Sequence, residues 1–382
     1  MKVVIAPDKF KGSMTSVEVA DAIEQGILSV DPNCQTRKLY IADGGDGTME
    51  AIVNSLNGRT VVANVSNPVG RKIQARYGIV NSDTAVIDVA TASGLALLSE
   101  EERNPLYTTS FGTGELILHA IAKNGIKKFI LGIGGSATND AATGLLSALG
   151  FVFRDCSGNT LTGCGANLEK IHSIDDSNIN MLIRDCTFTI LCDVDAEFYG
   201  SNGAARLFAA QKGANDEMIA QLDAGMSHFA NVIRNHTGKS VQNQSYSGAA
   251  GGIGGALWAL LGARLSPGIY ELLKIIQFKD AIRGASLVIT GEGAMNRISL
   301  LGKAPYGVCC EAAWYGVPTI AIVGSVADCE MLNEYGFLSV FPIQSGPTDI
   351  TSAIAPATAE ANIRRTVAQI FRLLMLKIIF NQ

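Results

Sequence analysis

Four glycine-rich stretches hold most of the chemistry this sequence can be expected to do. They are Asp43-Gly44-Gly45-Asp46-Gly47, Gly132-Ile133-Gly134-Gly135-Ser136, Gly248–Gly255 and Gly291-Glu292-Gly293. Glycine lets backbone N–H groups turn toward a ligand, and the N-terminus of a following helix favours negative charge. Each stretch is expected where a strand ends or a helix begins, and ligands of open α/β sheets bind at that carboxyl edge. Any one of them alone is equally well read as a tight turn; four in one chain tilt the reading toward phosphate binding. None is a Walker A loop, because Gly238-Lys239-Ser240 has Ile233 where the leading glycine must stand. A protein-kinase signature set is also missing. The second stretch fits a loose dinucleotide fingerprint through Gly132, Gly134 and Ala137, with Asp155 about 20 residues on. A nicotinamide-dependent oxidoreductase is therefore an alternative.

Acidic residues accompany the loops. Asp8, Asp43, Asp46, Asp140, Asp193 and Glu292 each fall at or shortly past an expected strand end. Phosphoryl transfer needs carboxylates for Mg²⁺, a group to orient the attacking hydroxyl, and cations to neutralise developing charge. Lys9, Lys11, Lys212 and Lys303 are candidates for the cationic role. The competing reading of each acid is a helix N-cap or an exposed loop charge. Asp8 and Asp193 resist it best, since each closely follows a buried run. His119, His172, His228 and His236 are scattered, and no Ser-His-Asp arrangement is visible.

The elements that must hold these loops alternate between short β-rich runs and helical patterns, the signature of a parallel sheet wrapped by helices. Strands are expected at Val3–Ala6, Arg37–Ile41, Lys128–Leu131, Phe188–Leu191, Ser286–Thr290, Thr319–Val323 and Leu338–Phe341. Helices are expected over Ser16–Ser29, up to Ser55, and over Gly114–Lys123, Ala141–Leu149, Asn215–His236, Gly248–Leu261 and Ala357–Leu376. Val61–Val65, Ile73–Val80 and Thr84–Val89 have turn residues between them and no helix, so they read as an antiparallel meander. The two ends of the chain share the doubly wound pattern while the middle is mixed. The expected architecture is a doubly wound, Rossmann-like parallel-sheet domain from residues 1–60 and 281–382, with a mixed-sheet α/β domain, 61–280, inserted in it. Both boundaries are soft.

The chain has 382 residues, 47% hydrophobic and 17% charged, with 41 glycines and 10 prolines. That length suggests two cores, and the Gly-rich, Pro-poor balance argues for tight strand–helix turns over disorder. A net charge of −5 without a basic run excludes the electrostatic footprint of a nucleic-acid binder. The eight cysteines form no Cys-x-x-Cys pair, and Cys309–Cys310 are adjacent, so buried free thiols are expected. The apolar run at the N-terminus is too short for a signal peptide. Leu373–Phe380 is interrupted by Lys377 and falls far below the about 20 residues that span a bilayer. A cytoplasmic protein without a membrane partner is expected.

Taken together and in order, these blocks resemble the bacterial class I glycerate kinases. The resemblance runs over Ile5–Ser13, Ala42–Thr48, Thr91–Leu95, Gly112–Leu116, Gly132–Asp140, Cys192–Val194, Gln211–Ala214, Gly248–Gly252 and Thr290–Gly293. It implies phosphorylation of D-glycerate by ATP with Mg²⁺ as cofactor, 2-phosphoglycerate as product, and a two-domain fold with the site in the cleft. It leaves a homodimer open. In that setting Asp8 and Asp193 would serve Mg²⁺ or the substrate hydroxyl, with Asp193 the metal candidate, and Lys9 or Lys11 would pair with anionic oxygens. Substrate and phosphate would be held by Asp43, Gly44, Gly45, Asp46, Gly134, Gly135, Ser136, Asn139, Asp140, Lys212, Gly251, Gly252, Gly291, Glu292, Gly293 and Lys303. One block departs. The family pattern after Gly-Glu-Gly usually runs Arg-x-Asp-x-Gln-Thr and then Gly-Lys; here Ala294, Asn296, Ile298 and Ser299 stand in those places, with Gly302-Lys303 kept. Ala196-Glu197 replaces a common Asn-Pro pair. The altered loop raises a second reading, a degenerate kinase that binds nucleotide or hydroxy acid as a sensor.

Overall fold

Val3, Val4 and Ile5 are wholly buried, as befits a strand covered on both faces. The strand runs over Lys2–Ile5 and lies inside a five-stranded sheet, next to one edge strand. Its neighbours are Gln35–Lys38 on one side and Leu287–Thr290 on the other, followed by Thr319–Val323 and Phe337–Pro342. Every pairing is parallel. In chain order the strands stand 2-1-3-4-5, the flavodoxin type of doubly wound sheet. The order reverses between Lys2–Ile5 and Leu287–Thr290, and ligands of such sheets bind outside the carboxyl ends at that switch point. The second strand comes earlier than the Arg37–Ile41 expected, because Gln35–Lys38 makes the edge pairing while Leu39 and Ile41 turn inward after it. Helices Ser16–Leu28 and Pro356–Phe380 pack on one face around Val19, Ile23, Ile363, Val367 and Phe371.

This sheet belongs to the first of two units, Met1–Asp43 with Ile269–Gln382; the second is Gly44–Gly268. The seams thus fall at 43/44 and 268/269, not near 60 and 280. The helix Thr48–Ser55 goes with the second unit, because Met49, Ile52 and Val53 pack under its meander. The computed structural model describes residues 1–380, with side chains described to residue 376. Part of the apolar run Leu373–Phe380 therefore lies outside the described side chains. Among the described residues, no helix is long and apolar enough to cross a membrane.

The second unit holds a six-stranded mixed sheet. Arg59–Ser66, Lys72–Val80 and Thr84–Asp88 form the antiparallel meander, and Lys128–Gly132, Thr187–Cys192 and Arg264–Pro267 continue it in parallel. Its strands add in strict chain order, so four parallel strands end on one edge: Asp88 is in register with Gly132, Gly132 with Leu191, and Cys192 with Pro267. The core beneath includes Tyr77, Phe129, Leu131, Ile190 and Phe229. A short hairpin, Val152–Arg154 with Ser173–Asp175, was not foreseen. Its three-residue strands are too short for an alternation to register. All eight cysteines are free, but burial was overstated: Cys34, Cys192 and Cys309 are buried while Cys156 is exposed.

Candidate active site

In the first unit the switch point brings together Asp8, Asp43 and Glu292. Asp8 follows the first strand, and its N–H donates to Gly291 O at 2.8 Å, locking it to the turn after Leu287–Thr290. That turn admits only glycine at 291, since a Cβ there would lie 1.8 Å from Ile322 O. Lys9 N–H donates to Asp8 Oδ1 at 2.7 Å. Burial, then the neighbouring charges of Asp43 and Glu292, push the Asp8 carboxyl up to about 7, against the pull of Lys9. Glu292 accepts from Ser299 Oγ at 2.6 Å and from Lys303 Nζ at 3.2 Å. Lys11 is exposed on the turn that closes between Phe10 and Met14.

In the second unit the glycine loops meet along the aligned strand ends. Gly134 N–H donates to Gly44 O at 3.3 Å, and a Cβ on Gly134 would lie 2.5 Å from Gly45 Cα and 3.1 Å from Asp193 Oδ2. Only a bare backbone lets these segments close on each other. Asp193 is exposed at the end of Thr187–Cys192, as is Asp46 on its loop. Lys212, 3% exposed, donates to Ser136 Oγ at 3.0 Å and Thr138 O at 2.7 Å. Burial lowers its pKa to about 8 although Asp140 and Asp193 oppose that. Ala250, Gly251 and Gly252 are left-handed in succession, so the helix expected from Gly248 is interrupted at its start. Gly251 O accepts from Ala141 N–H at 3.0 Å. Ser136 and Gly135 are tied to the 93–95 segment by Ala137 N–H to Ser93 O and Leu95 N–H to Gly135 O.

Two of the expected ligand residues turn inward. Asp140 is wholly buried, and its Oδ2 accepts from Ser110 N, Ser110 Oγ and Gly144 N at 2.8, 2.7 and 3.2 Å. It thereby anchors the N-termini of helices Phe111–Asn124 and Thr143–Ala148. Asn139 is also wholly buried and points its amide at Met226 Sδ. The dinucleotide reading fails on structure. The next helix after Gly132–Ala137 starts only at Thr143, and Asp155 spends its carboxylate on Ser157 and Asn159 in its own turn.

Sequence reasoning missed Asp88. This buried carboxylate ends Thr84–Asp88 and accepts Gly47 N–H and Met49 N–H, each at 2.9 Å, fixing the Asp43–Gly47 loop to its helix. Burial pushes it up to about 7, with the two N–H groups opposing. It carries the same signal as Asp8 and Asp193, an acid directly after a buried run. Glu197, standing where proline is common, uses the N–H that proline lacks, donating to Asn202 O at 3.0 Å.

Carboxylates, a buried ammonium and glycine loops at parallel strand ends define an α/β protein of the group-transfer class. The sequence profile of the Glycerate kinase family matches residues 3–375, and the chain belongs to that family. Glycerate kinase of Haemophilus influenzae is 41% identical over 99% of this chain and 100% of its own. Glycerate 2-kinase of Escherichia coli is 41% identical over 96% of this chain and 98% of its own. A crystal structure of a Salmonella typhimurium protein provisionally named glycerate kinase 2 superposes with a TM-score of 0.88 at 39% identity, covering 99% of both chains.

Proposed function

We propose that the protein transfers the γ-phosphoryl group of ATP to the 2-hydroxyl of D-glycerate, giving 2-phosphoglycerate and ADP. The observation that carries the chemistry is Asp8, a carboxyl at the switch point whose pKa of about 7 suits a base at neutral pH. The relatives' names supply the acceptor, and that of the Escherichia coli protein favours the 2-position. In the transfer the hydroxyl O–H bond breaks and its proton passes to Asp8. An O–P bond forms, and the bond from Pγ to the bridging oxygen breaks with its electron pair leaving on ADP. Lys9 or Lys11 would pair with the glycerate carboxylate. Lys212 and the glycine loops of the second unit would hold phosphoryl oxygens and offset the charge that grows on them.

Mg²⁺ usually keeps several waters and takes only one or two protein carboxylates beside substrate phosphates. Among the described residues no group of three or more potential ligands is gathered for a metal, which fits that sparse mode and not a closed cage. Asp193, exposed beside the bare backbone of Gly134, is the residue that would hold it. When bound, the ion would neutralise phosphate charge.

Coupled assay of ADP release with D-glycerate and Mg·ATP tests the reading, and phosphorus NMR of the product distinguishes the 2- from the 3-phosphate. No turnover above background at saturating substrate would sink it. The sensor reading is favoured only by the lost arginine, aspartate and glutamine of the 294–298 segment; calorimetric binding without turnover would support it instead.

A further inference from the structure

We infer that Ser299 is a positioning residue for this reaction, its hydroxyl fixing the Glu292 carboxylate as a standing negative charge beside Asp8. Ser299 is wholly buried. Its Oγ accepts Asn296 N–H at 3.2 Å and donates to Glu292 Oε1 at 2.6 Å. A hydroxyl has one proton. With the Asn296 N–H occupying a lone pair, that proton is directed to Glu292. Lys303 Nζ meets the other oxygen at 3.2 Å. Both oxygens of Glu292 therefore face donors, the arrangement an acceptor-only carboxylate requires.

The altered loop preserves this clamp. Asn296 accepts Ile298 N–H at 2.8 Å and starts the turn Arg297–Leu300, which delivers Ser299 inward. Ile298 and Ala294 face outward. The groups around Asp8 are Asp43 and Glu292, which disfavour its ionised form, and Lys9, which favours it. The Glu292 carboxylate is set by a neighbouring hydroxyl, so removing that hydroxyl frees one of the two like charges acting on Asp8 to move.

The inference rests on Asp8 acting as base, and the test separates the two. Wild type, Ser299→Ala and Ser299→Thr are compared for kcat, KM and the pH profile of kcat/KM with D-glycerate and Mg·ATP. Ser299→Ala is expected to lower kcat about tenfold, the effect of one hydrogen bond to a charged group. KM should change less than about twofold by the same argument, and the acidic limb should move to lower pH because the Glu292 carboxylate, still charged, is no longer held beside Asp8 by the hydroxyl. Ser299→Thr, which keeps the hydroxyl, should restore both. An unmoved limb in Ser299→Ala, or a Ser299→Thr protein that behaves like it, overturns the inference while leaving wild-type turnover, and hence the kinase reading, intact. If Ser299→Ala does not fold, Glu292→Gln serves. It should move the acidic limb in the same direction, and an unmoved limb there overturns the inference equally.

Discussion

Replacing Lys212 tests the site where burial and charge conflict most. Its ammonium is 3% exposed and its pKa falls from 10.5 to about 8. That shift means the fold carries the charge at a cost of roughly 3 kcal/mol relative to water. A group held at that cost beside Asp193 and the Gly132–Ser136 loop is expected to act on charge elsewhere. If Lys212 neutralises phosphoryl oxygens in the transition state, Lys212→Met should cost about 3 kcal/mol, or on the order of a hundredfold in kcat/KM. The pH dependence has a definite sign. The active form is protonated, present below about 8 and lost as pH rises through it, so wild-type kcat/KM should show a basic limb there. Lys212→Arg keeps its charge at every pH assayed. It should lose the limb even while overcrowding lowers its rate. The assay is ADP release from Mg·ATP with D-glycerate between about pH 6 and 10, a range that brackets the lowered Lys212 value of about 8. A Lys212→Met enzyme within threefold of wild type, or a Lys212→Arg enzyme that keeps the limb, would refute the reasoning.

Asp8→Asn removes the proposed base, and kcat should fall by roughly 10²- to 10⁴-fold. Because the base must be ionised, wild-type activity should rise as pH climbs through about 7, and the residual activity of the variant should lack that rise. Asp88→Asn puts an amide nitrogen against one of the two N–H groups at 2.9 Å. It should raise the KM of whichever substrate the Asp43–Gly47 loop contacts by about tenfold, the kinetic equivalent of one unmade bond. A Michaelis constant unchanged for both substrates would show that the loop does not depend on Asp88.

The alternation of β-rich runs with amphipathic helices made the parallel sheets legible, and turn residues without intervening helix revealed the meander. Strand order was not legible, because it depends on which faces pack together. Only the structure places Leu287–Thr290 directly beside Lys2–Ile5, although more than half the chain separates them. The seam was misplaced for a similar reason. Thr48–Ser55 continues the Asp43–Gly47 loop in sequence, but its apolar face fits the meander. Ser299 was hidden inside a segment whose polar losses drew attention to what had gone, while its retained hydroxyl is what Glu292 binds.

The rule that an acid closely following a buried strand belongs to the site selected Asp8 and Asp193, and applied evenly it selects Asp88 as well. What sorts such acids is where their oxygens are spent. Asp88 receives two backbone N–H groups and Asp140 receives three donors, so both hold loops and helix ends in place. Glu292 is spent on Ser299 and Lys303, which hold its carboxylate in place. Asp8 differs from all three. Its carboxylate accepts the N–H of the adjacent Lys9, and burial followed by the like charges of Asp43 and Glu292 raises its pKa, whereas burial alone leads at Asp88 against two N–H groups from the loop it holds. Acids on the loops that follow the strands therefore divide into loop anchors, a carboxylate held by side chains, and the proposed base. The changes at 294, 296 and 298 touch none of the oxygens that make this division, which is why the altered loop argues for retuned turnover more than for a lost site.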